Sequence, residues 1–463
     1  MQPFPRGLLF FSLLVLAAAR CPTYIDTVVP SGQTRRYGNR EPGDLILATM
    51  HDVHKTLSNC DSIKSLKLRV TSLGCSEHPD RWNFPLDLAS GSTYTYPSEL
   101  ESLDLEGYHF GDRIWDEIQE PPFRTGSKFW DRMEWIGSGR AWKWLRYLPL
   151  SAEQKIKTNL DLWLDAMDFG SIKNLTLRPR IDEYPDVAKL VPHLKSLQSL
   201  KVYGAWAKDL ILGVPENSLT HLSWIFSHET GASALPIIRH HAQSLTSLEW
   251  REAESGTRQR RVMTAEEIAE LGRMAPNLES ITLDINRNGT WPMEHFDALV
   301  TNFPKLTNIT IFLEFASECR RQLGASTEGI YGYEQWKMGE ASDCSSGVES
   351  MAQPPLELKP AMQLWGHLRE KKVGDLLKKV VFYVGDWERP WDGPLAENEW
   401  LEGRRSFFWC EASDNPPKRY NGGCVGLIAD VPTRRSSSGY DEDGWDAPGW
   451  QSDLARRAMR MEL

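Results

Sequence analysis

Leu197-Gln-Ser-Leu-Lys-Val202, Leu219-Thr-His-Leu-Ser-Trp224 and Leu245-Thr-Ser-Leu-Glu-Trp250 are three copies of one six-residue phrase. Each reads apolar, any, small polar, Leu or Ile, any, apolar. Upstream the phrase occurs as Ile63-Lys-Ser-Leu-Lys-Leu68, Leu100-Glu-Ser-Leu-Asp-Leu105 and Ile172-Lys-Asn-Leu-Thr-Leu177. Downstream it returns as Leu278-Glu-Ser-Ile-Thr-Leu283 and Leu306-Thr-Asn-Ile-Thr-Ile311, with a degenerate ninth copy at Leu377-Lys-Lys-Val-Val-Phe382. Apolar triads arise by chance in any globular chain. A third position that is Ser, Asn or His in all eight clear copies does not. From Leu175 to Ile309 the central residues step by 25, 22, 26, 33 and 28, near the leucine-rich period of about 20–29 residues. Gaps of 37 and 72 before Leu175, and of 71 after Ile309, predict insertions or decayed repeats.

Between copies the apolar period changes from 2 to 3.6. Val187, Leu190, Val191 and Leu194 share one helical face, as do Leu235, Ile238, Ala242 and Leu245, and Phe296, Leu299, Val300 and Phe303. Thr264-Ala-Glu-Glu267 is a capping box. Each unit therefore reads helix, turn, short strand. Short regular units of that kind stack as a solenoid. The expected fold is an irregular leucine-rich-repeat-like α/β solenoid, with parallel strands on the concave side, helices on the convex side and a small β-rich C-terminal cap. The expected divisions are a signal peptide over 1–19, an N-terminal segment 20–41, the solenoid with insertions 42–384, the cap 385–431 and a disordered tail 432–463.

Strand alternation assigns faces. Leu66 and Leu68 point inward, so Ser65, Lys67 and Arg69 point out. The same rule turns Arg178, Lys201, Tyr203, His221, Glu249, Arg251 and Asp284 outward, and these are the candidate binding residues of the concave face.

At the N-terminus, Arg6 precedes thirteen apolar or small residues, Gly7–Ala19. That is too short for a bilayer, which needs about 20. Ala17-x-Ala19 offers the small side chains of a signal-peptidase site. Secretion follows as an expectation. Three sequons agree with it, at Asn174, Asn288 and Asn308, although glycans on Asn174 and Asn308 would crowd the concave face. Seven cysteines favour bridges in an oxidising route. The expected pairs are Cys410–Cys424, Cys60–Cys75 and Cys319–Cys344, with Cys21 left over; Cys60 also continues the apolar stripe of Ile46, Met50, Val53 and Leu57. Net charge is −10, which disfavours nucleic acid and anionic membranes.

Several phrases resemble a large group of fungal F-box or leucine-rich-repeat-like proteins. They are Arg69-Val-Thr-Ser-Leu-Gly-Cys75, Asp80-Arg-Trp-Asn-Phe84, Leu105-Glu-Gly-Tyr108, Asn159-Leu-Asp-Leu-Trp-Leu-Asp-Ala-Met-Asp168 and Val384-Gly-Asp-Trp387. The resemblance spans about residues 42 to 430, and its motifs are structural. F-box members of the group recruit a ubiquitin-ligase adaptor through an N-terminal helical module. Here the leader stands in that module's place, so the resemblance implies a secreted member lacking it.

No metal-spaced Cys pairs, phosphate-cradling Gly loop or nucleophile elbow occur in the sequence. His51 and His54 read as a solvated helix face. His240 and His241, being adjacent, are expected to point apart. Nineteen tryptophans read chiefly as core filler, with Trp224 and Trp250 at inward positions. Arg35-Arg36 and Arg258-Gln-Arg-Arg261 are dibasic, the latter in a furin-like pattern. The leading expectation is a secreted, non-enzymatic protein without a cofactor that binds a protein partner. A second is a carbohydrate binder or carbohydrate-active enzyme, meeting cell-wall glycan through the Trp-rich insertion between 110 and 150. A third is an intracellular F-box-like adaptor with an uncleaved N-terminus.

Overall fold

The computed structural model describes residues 21–29, 32, 47–70, 86–87, 92–93, 95–111, 151–178, 187–252, 259–317, 351–384, 406–412 and 423–428. Within these, one residue of every phrase falls into a single file. Leu66, Leu103, Leu175, Leu200, Leu222, Leu248, Ile281 and Ile309 are register partners across eight successive parallel strands. The file continues to Ile25 at one end, and through Val380 to Cys410 and Cys424 at the other. The degenerate ninth copy thus takes its place in register.

The strands are β1 (Tyr24–Val29), β2 (Ser65–Val70), β3 (Ser102–Glu106), β4 (Asn174–Arg178), β5 (Ser199–Tyr203) and β6 (His221–Ile225). They continue as β7 (Ser247–Arg251), β8 (Ser280–Ile285), β9 (Asn308–Leu313), β10 (Lys379–Val384), β11 (Ser406–Glu411) and β12 (Cys424–Ile428). All twelve form one sheet in chain order. The pairs from β1 to β10 are parallel, and the β10–β11 and β11–β12 pairs are antiparallel, so β11 alone runs against the rest. The N-terminal segment, for which no element is expected from its residues, supplies β1.

A recurring hydrogen bond explains why the copies align so regularly. The carbonyl two residues before each central leucine accepts two amides of the next unit. Gln198 O takes the N–H of Thr220 and of His221, and Thr220 O takes those of Thr246 and Ser247. Glu279 O does the same for Thr307 and Asn308. Threonine hydroxyls at 220, 246 and 307 add a third donor to the same carbonyls.

Helices cover one face of the sheet. They are α1 (Met50–Asn59), α2 (Ala152–Ile156), α3 (Asn159–Ala166), α4 (Ala207–Gly213), α5 (Gly231–Arg239), α6 (Ala265–Met274), α7 (Met293–Thr301) and α8 (Leu358–Lys371). Thr264 caps α6 and Glu267 returns the bond, as its sequence indicates. Leu235 and Ile238 are buried in α5, and Phe296, Leu299 and Val300 in α7. The face of Val187, Leu190, Val191 and Leu194 is two short 3-10 turns rather than an α-helix; Pro192 lacks the amide a continuous helix needs.

Trp163 on α3 fills the space beside β3. Tyr96, Tyr108 and Phe110 meet it edge-on at 5.3, 5.8 and 6.2 Å between ring centroids, and its Nε1 donates to Tyr108 Oη at 2.9 Å. Gly107 precedes this cluster at φ 67°, where an added Cβ would lie 2.3 Å from Val70 O. Leu105-Glu-Gly-Tyr108 and the Asn159–Asp168 phrase are therefore packing motifs.

Several expectations need correction. Cys60 is bonded to Cys21, not to Cys75; β1 brings Cys21 to the C-terminal end of α1. Cys410–Cys424 forms as expected between register partners on β11 and β12. His54 is buried rather than solvated, with Nδ1 3.0 Å from Tyr96 Oη. His240 and His241 do not point apart: they follow α5 instead of lying within it, and their rings meet at 4.7 Å. Trp224 and Trp250 are fully buried neighbours in the core. Residues 1–19 with the expected leader, Cys75, Cys319, Cys344, Arg35-Arg36, the tryptophans of the 110–150 insertion and residues 432–463 lie outside the described residues.

Candidate binding surface

The face of the sheet turned away from the helices carries three rows of side chains. The first row is the small polar position of the phrase, running from Ser65 through Ser102, Asn174, Ser199, His221, Ser247 and Ser280 to Asn308. His221 is exposed here between Ser199 and Ser247, with Nδ1 2.8 Å from Thr220 Oγ1. The second row holds Lys67, Asp104, Thr176, Lys201, Ser223 and Glu249, all half-buried.

The third row departs from expectation. Tyr203, Arg251 and Asp284 share the outward register but are buried, together with Glu106 and Phe312. Two causes act at the carboxyl ends of the strands. Neighbouring long side chains lie down on one another, and Arg260 reaches over the ends from the segment after β7. Its Nη1 donates to Asp284 Oδ1 at 2.9 Å, its Nε to Asn286 Oδ1 at 3.0 Å, and its Nη2 to the carbonyls of Ile285 and Phe312.

The candidates fall into two linked groups. In one, Glu249 lies 3.6 Å from Lys201 and 3.8 Å from Arg251, and accepts from Ser223 Oγ at 2.5 Å. Arg251 reaches on to Asp284 at 3.7 Å and stacks over Phe312, 3.3 Å from the ring centroid. In the other, Arg178 stacks over Tyr203 at 4.1 Å, bonds its hydroxyl and pairs with Glu106 at 3.5 Å. Charges therefore alternate and offset one another along this face. Half-exposed pairs such as Lys201–Glu249 contribute at most about 1 kcal/mol. Pairs at fully buried Asp284 matter chiefly because losing one partner strands a charge.

Beside this network Glu252 is buried as well. It accepts from the Ser227 hydroxyl and from His228 N, and its own N–H donates to Asp284 Oδ2 at 2.5 Å. Burial pushes its carboxyl up to about 7. Neither Glu252 nor the role of Arg260 has a local signal in the sequence, because their partners stand 24 to 52 positions away. A row of rings, Phe312, Tyr383 and Phe407, lies just past the phrase, with Phe312 stacked on Tyr383 at 4.6 Å and Phe407 tilted against Tyr383 at 5.0 Å. One further residue of the register in the last two copies reaches Phe312 and Tyr383, whereas Phe407 lies on antiparallel β11, outside the phrase.

Among the sequons, Asn174 is exposed in the first row and Asn288 is exposed beyond the end of β8. Asn308 is half-buried, with Nδ2 donating to Thr307 Oγ1 at 3.0 Å. Among the described residues no group of three or more His, Cys, Asp or Glu is placed to hold a metal ion, and no helix is long and apolar enough to cross a membrane.

Taken together, the sheet, its register and its covering helices define a leucine-rich-repeat-like α/β solenoid. No family model matches the chain, and no curated protein does. Among solved structures it is similar to the leucine-rich repeat-containing protein LegL7 from Legionella pneumophila, at 16% identity over 65% of this chain and 88% of that one, with a TM-score of 0.27. At that score the solenoid assignment rests on the strand register alone.

Proposed function

We propose that this protein is a secreted, non-enzymatic repeat protein that binds a protein partner through the open face of its sheet. The observation that carries the reading is the unbroken first and second rows, accessible from β2 to β9 and holding His221, Lys201 and Asn174 in fixed register. Internal charge pairing leaves little net field on this face, which suits recognition by shape and hydrogen bonding. Secretion draws support from the leader-like residues 1–19 and from the Cys21–Cys60 and Cys410–Cys424 bridges, which persist in oxidising compartments. A glycan on Asn288 would leave the rows clear.

Expression through a eukaryotic secretory route tests the location. The expected product in the medium begins at Arg20 and carries glycan on Asn288; recovery of intact Met1 from cytosol would favour the adaptor reading instead. The surface is tested with cross-linked partners from extracellular fluid. Capture should fail for His221→Glu combined with Ser247→Arg, and survive exchange of the exposed helix-face pair Arg239 and Glu270. The opposite pattern would move the interface to the helices.

A further inference from the structure

The two margins of the sheet meet solvent differently. Backbone bonds alternate along a strand, so the partner on one side fixes which groups face the other. Thr23 O accepts Lys64 N and Ser65 N, which gives β2 the odd-numbered residues of β1 and turns the backbone groups of Tyr24, Asp26 and Val28 to the margin. That margin is guarded. Gly32 N bonds back to Val28 O at 2.6 Å, and Asp26 sets a carboxylate in mid-strand, where Tyr24 Oη donates to it at 3.0 Å. A turn folded back on the strand and a charge within it are devices by which native sheets refuse a further strand.

At β12 neither device is found among the described residues. Ala412 N bonds to Lys378 O at 2.9 Å, and Glu411 N to Gly423 O at 2.8 Å. Even-numbered residues of β11 therefore serve β10, and odd-numbered ones serve β12. By the same alternation Val425 and Leu427 turn their backbone groups to β11, while Cys424, Gly426 and Ile428 turn theirs away from it. Among the described residues these outward amides and carbonyls have no hydrogen-bond partner. Cys424-Val-Gly-Leu-Ile428 contains no charge and no proline, and Val425 is 39% exposed. The Cys410–Cys424 bridge fastens the strand to β11, so it is presented as a fixed template. Gly426 has to stay small, because the Phe408 ring occupies the place of its Cβ.

We propose that β12 pairs antiparallel with β12 of a second copy of this chain, continuing the sheet across a two-fold axis at Gly426. The strand is its own complement. With Gly426 opposite Gly426, Cys424 falls opposite Ile428 and Val425 opposite Leu427. Every position then meets glycine or an apolar residue, and each outward amide meets a carbonyl. Moving the axis leaves part of either strand unpaired. A foreign strand would have to bring the same uncharged run, which the chain already carries. The guarded margin at β1 stops the assembly at two copies, where two open margins would let it grow into a fibre. The pairing is separate from the binding surface proposed above, whose rows lie between β2 and β9.

Sedimentation of the full-length protein from about 1 to 100 µM should show its mass doubling in one step. Hydrogen exchange over the same range identifies the surface. The amides of Cys424, Gly426 and Ile428 should gain about 10-fold or more in protection as the dimer forms, while Val425 and Leu427 stay protected throughout. Val425→Lys should raise the half-dimer concentration by about 10-fold or more, since it sets a charge on each copy's apolar margin. A monomer at every concentration would overturn the proposal. So would a dimer in which Cys424, Gly426 and Ile428 exchange as they do when dilute, since that contact lies elsewhere. The same three amides protected in a monomer would mean that the chain covers its own margin, which also overturns it. If Val425→Lys does not fold, the exchange pattern of the unaltered protein decides.

Discussion

Arg260 Nη1 lies 2.9 Å from Asp284 Oδ1, and neither side chain reaches solvent to any useful extent, at 4% and 0% exposure. An aspartate on the outward face of a sheet is thereby converted into part of the interior. Replacing Arg260 by Met leaves Asp284 leaning on Arg251, 3.7 Å away. Urea unfolding should show a loss of about 3 kcal/mol, and Arg260→Met with Asp284→Asn should lose less than the single change. A loss under roughly 0.5 kcal/mol would mean that Arg251 suffices.

The Cys21–Cys60 bridge predicts opposite outcomes for two cysteines. Cys60→Ala should lower stability by roughly 2–4 kcal/mol through the 39-residue separation it frees, and leave Cys21 alkylatable. Cys75→Ala should leave that bridge intact. Peptide mapping that recovers Cys60 joined to Cys75 would refute the pairing.

Acid should weaken the fold through His241. Burial holds its imidazole below the ordinary 6.5, with Nε2 2.9 Å from Ile211 O and the His240 ring beside it. A histidine depressed in the folded state contributes stability that is complete above its unfolded value and is lost as pH falls through the folded one. Thermal melts should therefore drop on acidification from pH 7 to 5, and His241→Asn should flatten that drop. His295, also lowered by burial, adds a slope of the same sign.

Trp250 and Trp224 are register partners with no exposed surface. Trp250→Ala should cost about 3–5 kcal/mol, as expected of an emptied aromatic site, and Trp250→Phe distinctly less. Denaturant unfolding checks both. Near-equal effects would indicate that the indole N–H, bonded to Ser227 Oγ, matters more than its volume.

What could be read from the sequence was whatever repeats. Eight central residues, from Leu66 to Ile309, fix the strands, their order and their inward face, because a period of 2 on a parallel ladder leaves no freedom of register. The Thr264 cap and the Cys410–Cys424 bridge are equally local. Burial of Tyr203, Arg251 and Asp284 could not be read, since alternation tells which way a side chain leaves the backbone and not what later lies over it. Arg260 arrives from a connection that has no counterpart in other units. Cys21 was assigned no partner because β1 has no phrase to announce it, although its residues Ile25 and Thr27 continue the inward rows.

The reversal at β11 sets how this architecture can change in size. A parallel unit added directly after β10 would have to displace antiparallel β11, while β12, antiparallel to β11, returns to the polarity of β10. Growth by gene duplication, or by design, is therefore simplest inside the parallel array, where every neighbour keeps its direction. The run from Leu175 to Ile309, where modules of 22 to 33 residues share one carbonyl-to-amide coupling, is the natural splice region.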